Sequence, residues 1–262
     1  MRVNRIRQQW EHGGVAVNGW LAIPTSFSAE VMSHQGWDSL TLDMQHGVID
    51  YQAAVNMLTA ISTGETAPVV RVPWLDPGII MKMLDAGAYG IICPMINSAE
   101  DAEKFVAATR YPPRGNRSFG PIRASLHAGS DYATKADETI VRFAMIETRQ
   151  ALDSLDDIMS VDGLDAVYIG PADLSLALGC APAFDKEEPE VLEAIDLIAA
   201  KAREHGLIAG IHNGSADYAR RMIEKGFRFV TIGSDARLMA AGAKDALSRV
   251  RDVDTAAAAT SY

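Results

Sequence analysis

The sequence predicts a (β/α)8 barrel, eight parallel strands closed into a ring with a helix after each. Three observations carry that prediction. Eight short apolar runs, rich in Val, Ile and Ala, alternate with segments of helical period. The chain has 262 residues, long for one open sheet but usual for one barrel. No Gly-rich phosphate loop follows the first run, where a doubly wound sheet would carry one.

Taken in order, strands are expected at 17–23 (VNGWLAI), 39–43 (SLTLD), 68–71 (PVVR), 90–93 (GIIC), 142–146 (RFAMI), 165–169 (DAVYI), 207–211 (LIAGI) and 228–232 (RFVTI). Their composition is that of strands buried on both faces. Helices are expected at 51–62, 77–86, 99–109 and 189–205, where apolar residues recur at three- and four-residue spacing. Ser98 before Ala99, with Asp101 three residues on, and Asp76 before Pro77 are N-cap signals. Two stretches break the rhythm. Residues 110–138 hold Tyr111-Pro112-Pro113-Arg114-Gly115 and Phe119-Gly120-Pro121, turn chemistry without a period, and are expected to cover the barrel mouth. Residues 180–188 (CAPAFDKEE) form a shorter loop after the sixth strand. Residues 1–254 are expected to form one barrel domain, and 255–262 a frayed tail.

The charge balance restricts the partners. With 24 basic against 34 acidic residues the net charge is −10, which argues against nucleic acid or an anionic membrane. The basic start, MRVNRIRQQW, is not followed by an apolar signal region, and no run approaches membrane-spanning length. Two cysteines, Cys93 and Cys180, are too few for a disulfide framework, so a cytoplasmic location is expected.

Charged residues gather where strands end, the face on which barrels carry their chemistry. Glu147 follows the fifth strand and Asp173 the sixth, one βα unit apart. Taken singly, Asp173 reads equally as a helix cap and Glu147 as a surface carboxylate. At consecutive strand ends they read together as an oxygen-rich site for Mg²⁺, Mn²⁺ or Co²⁺. Arg71 ends the third strand, where a guanidinium binds a carboxylate or a developing oxyanion, or forms an ion pair at the rim. His46, in LDMQHG at 42–47, can move protons, although a lone loop histidine is more often inert. Asp85 either supports His46 through a hydrogen bond or caps its own helix. His212 follows the seventh strand and can line the mouth. The seven lysines all fall in expected helices or loops, which disfavours imine chemistry. There is no HExxH, GxSxG or P-loop motif.

Over residues 5–250 the chain resembles the HpcH/HpaI aldolases, metal-dependent class II pyruvate aldolases typified by 4-hydroxy-2-oxoheptanedioate aldolase. The resemblance is carried by LDMQH at 42–46, VRVPW at 70–74, TRYPPRG at 109–115, IETR at 146–149 and YIGPADLS at 168–175. It implies a barrel of the phosphoenolpyruvate/pyruvate type, with its eighth helix exchanged between protomers in a hexamer built from trimers. It implies Glu147 and Asp173 as metal ligands and the segment Gly170, Pro171, Ala172 and Asp173 as the seat of the pyruvate carboxylate. Arg71 would steady the oxyanion, and His46 supported by Asp85 would be the acid and base. The implied activity is reversible aldol addition of pyruvate, or a hydroxypyruvate-like 2-oxo acid, to an aldehyde. The alternatives are an oxaloacetate-type decarboxylase, a citrate-lyase-like CoA thioester lyase and, last, an inactive barrel. The sequence departs from the common pattern at Gln45, where Glu is frequent, and at Met145, where Gln is frequent. With Trp74 and His212, these two are the expected modulators of specificity.

Overall fold

A computed structural model describes residues 1–251. Eight parallel strands close into a ring: β1 (Ala16–Leu21), β2 (Ser39–Asp43), β3 (Ala67–Arg71), β4 (Gly90–Cys93), β5 (Val141–Ile146), β6 (Ala166–Ile169), β7 (Ile208–Asn213) and β8 (Phe229–Ile232). Closure is made by β8 against β1, with Asn18 opposite Thr231. Every expected strand is present, with no end moved by more than two residues. The expected helices appear as Tyr51–Ile61, Pro77–Asp85, Ala99–Thr109 and Pro189–Glu204. Their caps act as expected: Ser98 accepts from the Asp101 amide, and Asp76 from the Gly78 and Ile79 amides. Each such cap contributes about 1 kcal/mol.

The barrel has two cores because each strand is buried on both faces. Outward-facing Leu42, Val70, Ile91, Ile146, Ile169 and Ile211 pack beneath the helices. Inward-facing Trp20, Val69, Ile92, Phe143, Tyr168 and Phe229 fill the ring. Phe143 and Phe229 meet at 4.6 Å between ring centroids. Ile6 and Trp10, from the helix Arg5–Glu11, join this inner core from the end where the strands begin. The inner core is therefore closed at one end and open to chemistry at the other.

The long connection is placed differently from expectation. Residues 110–138 hold the helix Ile122–Ala128 and all but the last residue of Tyr132–Thr139, and these do not cover the mouth: their ends bond to Arg2 and Asn4, where the strands begin. They link the C-terminal end of the helix Ala99–Thr109 to the start of β5, and both lie at the far end of the barrel. Arg123 ties them to the Ala86 and Leu58 carbonyls, also at helix C-termini. At the mouth stands the shorter loop instead. Asp185 accepts the Gly214 amide just past β7 at 2.7 Å, and Phe184 beside it faces the cavity.

The last helix, Asp235–Arg251, buries only Asp235 against the barrel. Leu238, Met239, Leu247 and Val250 are exposed. The expected tail at 255–262 lies outside the described residues. No helix among those described is long and apolar enough to cross a membrane.

Candidate active site

A buried ion pair organises the mouth. Asp43 ends β2 and Arg71 ends β3, in register with each other. The Arg71 Nε and Nη2 donate to the two Asp43 carboxylate oxygens at 2.9 and 2.7 Å. Trp20 Nε1 adds a bond to Asp43 at 3.2 Å, and the Arg71 guanidinium lies 4.8 Å from the Trp20 ring centre. Burial pushes the Asp43 pKa up, but the bond and charge of Arg71 outweigh it and hold the carboxyl below its usual value. Asp43 also accepts the Gln45 and His46 amides, which bends LDMQHG into a turn and sets His46 on the rim. Gly47 completes that turn because a Cβ there would stand 2.3 Å from the Asp43 carbonyl oxygen.

Arg71 Nη1 engages no acceptor among the described residues and faces a cavity of about 410 Å³. His46, Met145, Gly170, Pro171, Ala172, Asp173 and His212 line the same cavity. Glu147 stands just behind the lining and is 2 % exposed. Its Oε1 accepts the Met95 amide at 2.9 Å, while Oε2 has no hydrogen-bond partner among the described residues. Gly170 makes room for it: a Cβ there would lie 2.5 Å from Met145 Cε and 2.6 Å from Glu147 Oε2. Met95 holds a left-handed backbone, φ 56°, alone among the described non-glycine residues. Such a conformation costs on the order of 1–3 kcal/mol and is found where function imposes it. Burial, with the Asp173 charge in support, pushes the Glu147 pKa up to about 7, against the opposing Met95 amide and Arg71.

Three expected site residues are not at the cavity. Asp85 ends the helix Pro77–Asp85, which runs back from the mouth, so it lies at the far end of the barrel. There Arg117 donates to it at 2.7 Å, and within this chain it does not support His46. Trp74 is exposed beyond β3, and Gln45 is half-buried; neither lines the cavity. Sequence reasoning gave no role to Asp43, Trp20, Phe184 or Arg237, which all line the cavity. Asp43 had a signal, since opposite charges end two adjacent strands. Among the described residues no lysine lines the cavity.

Two carboxylates, an arginine and a histidine stand at the open end of this barrel, the face on which barrel enzymes carry their chemistry. A family model described as HpcH/HpaI aldolase/citrate lyase matches residues 19–241, and the chain belongs to that family. It is 46% identical over 249 residues to a hydroxypyruvate/pyruvate aldolase of Rhizorhabdus wittichii, covering 95% of this chain and 99% of that one. It is 36% identical to a 4-hydroxy-2-oxo-heptane-1,7-dioate aldolase of Salmonella paratyphi C, covering 94% of each. Among solved structures, an HpcH/HpaI aldolase/citrate lyase family protein from Burkholderia cenocepacia superposes with a TM-score of 0.88 at 29% identity. That match covers 95% of this chain and all of the other.

The raised Glu147 pKa makes stability depend on pH. In the unfolded chain this carboxyl ionises near pH ~4.3, whereas in the folded chain it ionises near 7. The metal-free protein therefore loses stability as pH rises between those values, then levels off. Glu147→Gln keeps the acceptor for Met95 and has no charge to bury. In urea unfolding with chelator, the variant should match the wild type at acid pH and exceed it by about 3–4 kcal/mol above pH ~7. Parallel pH profiles for the two proteins would contradict the burial of this charge.

Proposed function

We propose that the chain catalyses the reversible aldol addition of pyruvate, or a hydroxypyruvate-like 2-oxo acid, to an aldehyde, giving 4-hydroxy-2-oxo acids. The observation that carries this reading is that Asp173 and Arg71 line one small cavity with Glu147 just behind the lining, near enough for both charges to act on its carboxyl. The aldolase names of the relatives at 46% and 36% identity support it.

Glu147 and Asp173 would hold a divalent cation. The donors are oxygens only, which suits Mg²⁺, Mn²⁺ or Co²⁺ completed by water and substrate. No group of three or more His, Cys, Asp or Glu that could hold a metal occurs among the described residues, so these two carboxylates would be the protein's whole share. The free Glu147 Oε2 and its raised pKa fit that role, because such a carboxylate gains most from a cation. Bound there, the cation would supply Lewis-acid polarisation of the 2-oxo group. The Ala172 and Asp173 amides head the helix Pro171–Ala177 without intrahelical acceptors, and would receive the substrate carboxylate. Arg71, its other nitrogens locked by Asp43, would turn Nη1 to the oxyanion that forms on the aldehyde. His46 on the rim would move the proton at C3 or at the new hydroxyl. Neither cysteine is in a disulfide, which fits a cytoplasmic enzyme.

The assembly we propose is a hexamer built from trimers, with the last helix exchanged between neighbours. The apolar residues Leu238, Met239, Leu247 and Val250, unburied in the single chain, support it. Light scattering at micromolar concentration should give a multiple of the 28.2 kDa chain, and a stable monomer would refute the exchange.

Chelator should abolish pyruvate release from 4-hydroxy-2-oxo acids, and Mn²⁺, Co²⁺ or Mg²⁺ should restore it. Borohydride with pyruvate should leave the mass of the protein unchanged, since no lysine among the described residues lines the cavity. A trapped lysine adduct would sink the mechanism.

Variants should separate binding from chemistry. His46→Ala should retain cation affinity while kcat falls roughly 10²–10⁴-fold, the usual worth of a positioned acid or base. Glu147→Ala should lose cation affinity first, seen by calorimetry. Unchanged pyruvate C3 proton exchange in His46→Ala would remove the histidine from that step.

A further inference from the structure

The inner core holds a chain of polar groups that ends at the cavity. Ser39 Oγ and Thr41 Oγ1 donate to Asn18 Oδ1 at 2.8 and 3.1 Å. Asn18 Nδ2 donates to Thr231 Oγ1 at 2.9 Å. The Thr231 and Tyr168 hydroxyls are 2.7 Å apart, and the Tyr168 hydroxyl is 3.1 Å from His212 Nδ1. All six residues are buried. The His212 ring stands edge-on to Trp20 at 4.8 Å and against Phe184 at 4.7 Å, so it is held from both sides. It lines the cavity, and no hydrogen bond among the described residues engages its Nε2.

Proton counting along this chain selects one tautomer. Either hydroxyl can donate across the Thr231–Tyr168 contact. If Tyr168 donates to Thr231, then Thr231 Oγ1 accepts twice and its own proton is buried without an acceptor, at a cost of about 1–3 kcal/mol. If Thr231 donates to Tyr168, and Tyr168 to His212 Nδ1, each of these two hydroxyls has an acceptor for its proton, and the one imidazole proton opens on the cavity. The second arrangement leaves the imidazole proton on Nε2. Burial first, then the Arg71 charge, pushes the His212 pKa down to about 3, against Asp43, so the ring is neutral at working pH.

We propose that His212 is a substrate-contacting residue, its Nε2–H held in the cavity as a neutral donor to an uncharged substrate oxygen. On the aldol reading that oxygen is either the C3 hydroxyl of a hydroxypyruvate-like donor or the aldehyde carbonyl. A neutral donor suits these uncharged oxygens, whereas the helix-start amides would serve the carboxylate and the Arg71 charge the oxyanion.

The test has a spectroscopic arm and a kinetic arm. Nitrogen-15 histidine spectra of the wild type should show His212 protonated at Nε2 and bare at Nδ1 across neutral pH. Protonation at Nδ1 would overturn the proposal, whatever the enzyme turns over. Tyr168→Phe, which removes the hydroxyl at nearly constant volume, should release the ring into mixed tautomers. For kinetics, pyruvate and hydroxypyruvate are compared with one common aldehyde, and wild-type turnover of either is the separate check on the aldol reading. His212→Phe should lose roughly tenfold to a hundredfold in kcat/KM, the worth of one hydrogen bond, and His212→Gln should recover part of it. A loss confined to hydroxypyruvate, in KM, assigns the C3 hydroxyl, and an equal loss with both donors assigns the aldehyde carbonyl. Full activity of His212→Phe with both donors would overturn the proposal.

Discussion

The Asp43–Arg71 pair is the constraint on which the mouth depends. A guanidinium buried at a strand end is tolerable only with a carboxylate in fixed geometry beside it, and the register of β2 and β3 supplies one. Removing either partner of such a buried pair costs about 3–5 kcal/mol, because the other charge is left uncompensated. The same carboxylate folds the turn that carries His46 and takes the Trp20 indole proton. Arg71, the His46 turn and Trp20 are thus oriented through one side chain. Arg71 keeps one nitrogen free toward the cavity because its other two are committed.

Opposite this satisfied pair stands a carboxylate left unsatisfied. Glu147 has one oxygen tied to Met95 and the other unbound, in a space that only a glycine at 170 leaves open. Its burial is unfavourable in the isolated protein, and the left-handed backbone at Met95 adds to the cost. Both costs fall at one point of the cavity wall, beside the carboxylate we propose as a cation ligand. Met145, packed against the same glycine, makes this wall apolar, whereas the His212 side is lined by a neutral polar ring.

The two ends of the barrel divide the work. Connections from strand to helix open on the mouth, and those from helix to strand lie at the other end. Length and turn chemistry did not reveal which kind the 110–138 segment is, but its position between a helix and β5 does. The shorter loop carrying Phe184 follows a helix that itself starts at the mouth, and Asp185 anchors it to the end of β7. Asp85 obeys the same rule. Ending a helix, it is carried away from His46 and toward Arg117.

What the sequence by itself determined is the ring of strands, the helix caps and the set of charged residues at strand ends. These are local properties: period, capping chemistry, and charge just past an apolar run can all be read within a dozen residues. Arg71, Glu147, Asp173 and His46 were legible for that reason. Only the tertiary structure decided which of them meet. The bidentate grip of Asp43 on Arg71, the space at Gly170 and the chain from Asn18 through Tyr168 to His212 join residues far apart in sequence. Their geometry depends on strand register and on side chains packed across the barrel. No local pattern records those, because each is set by the closure of the ring as a whole.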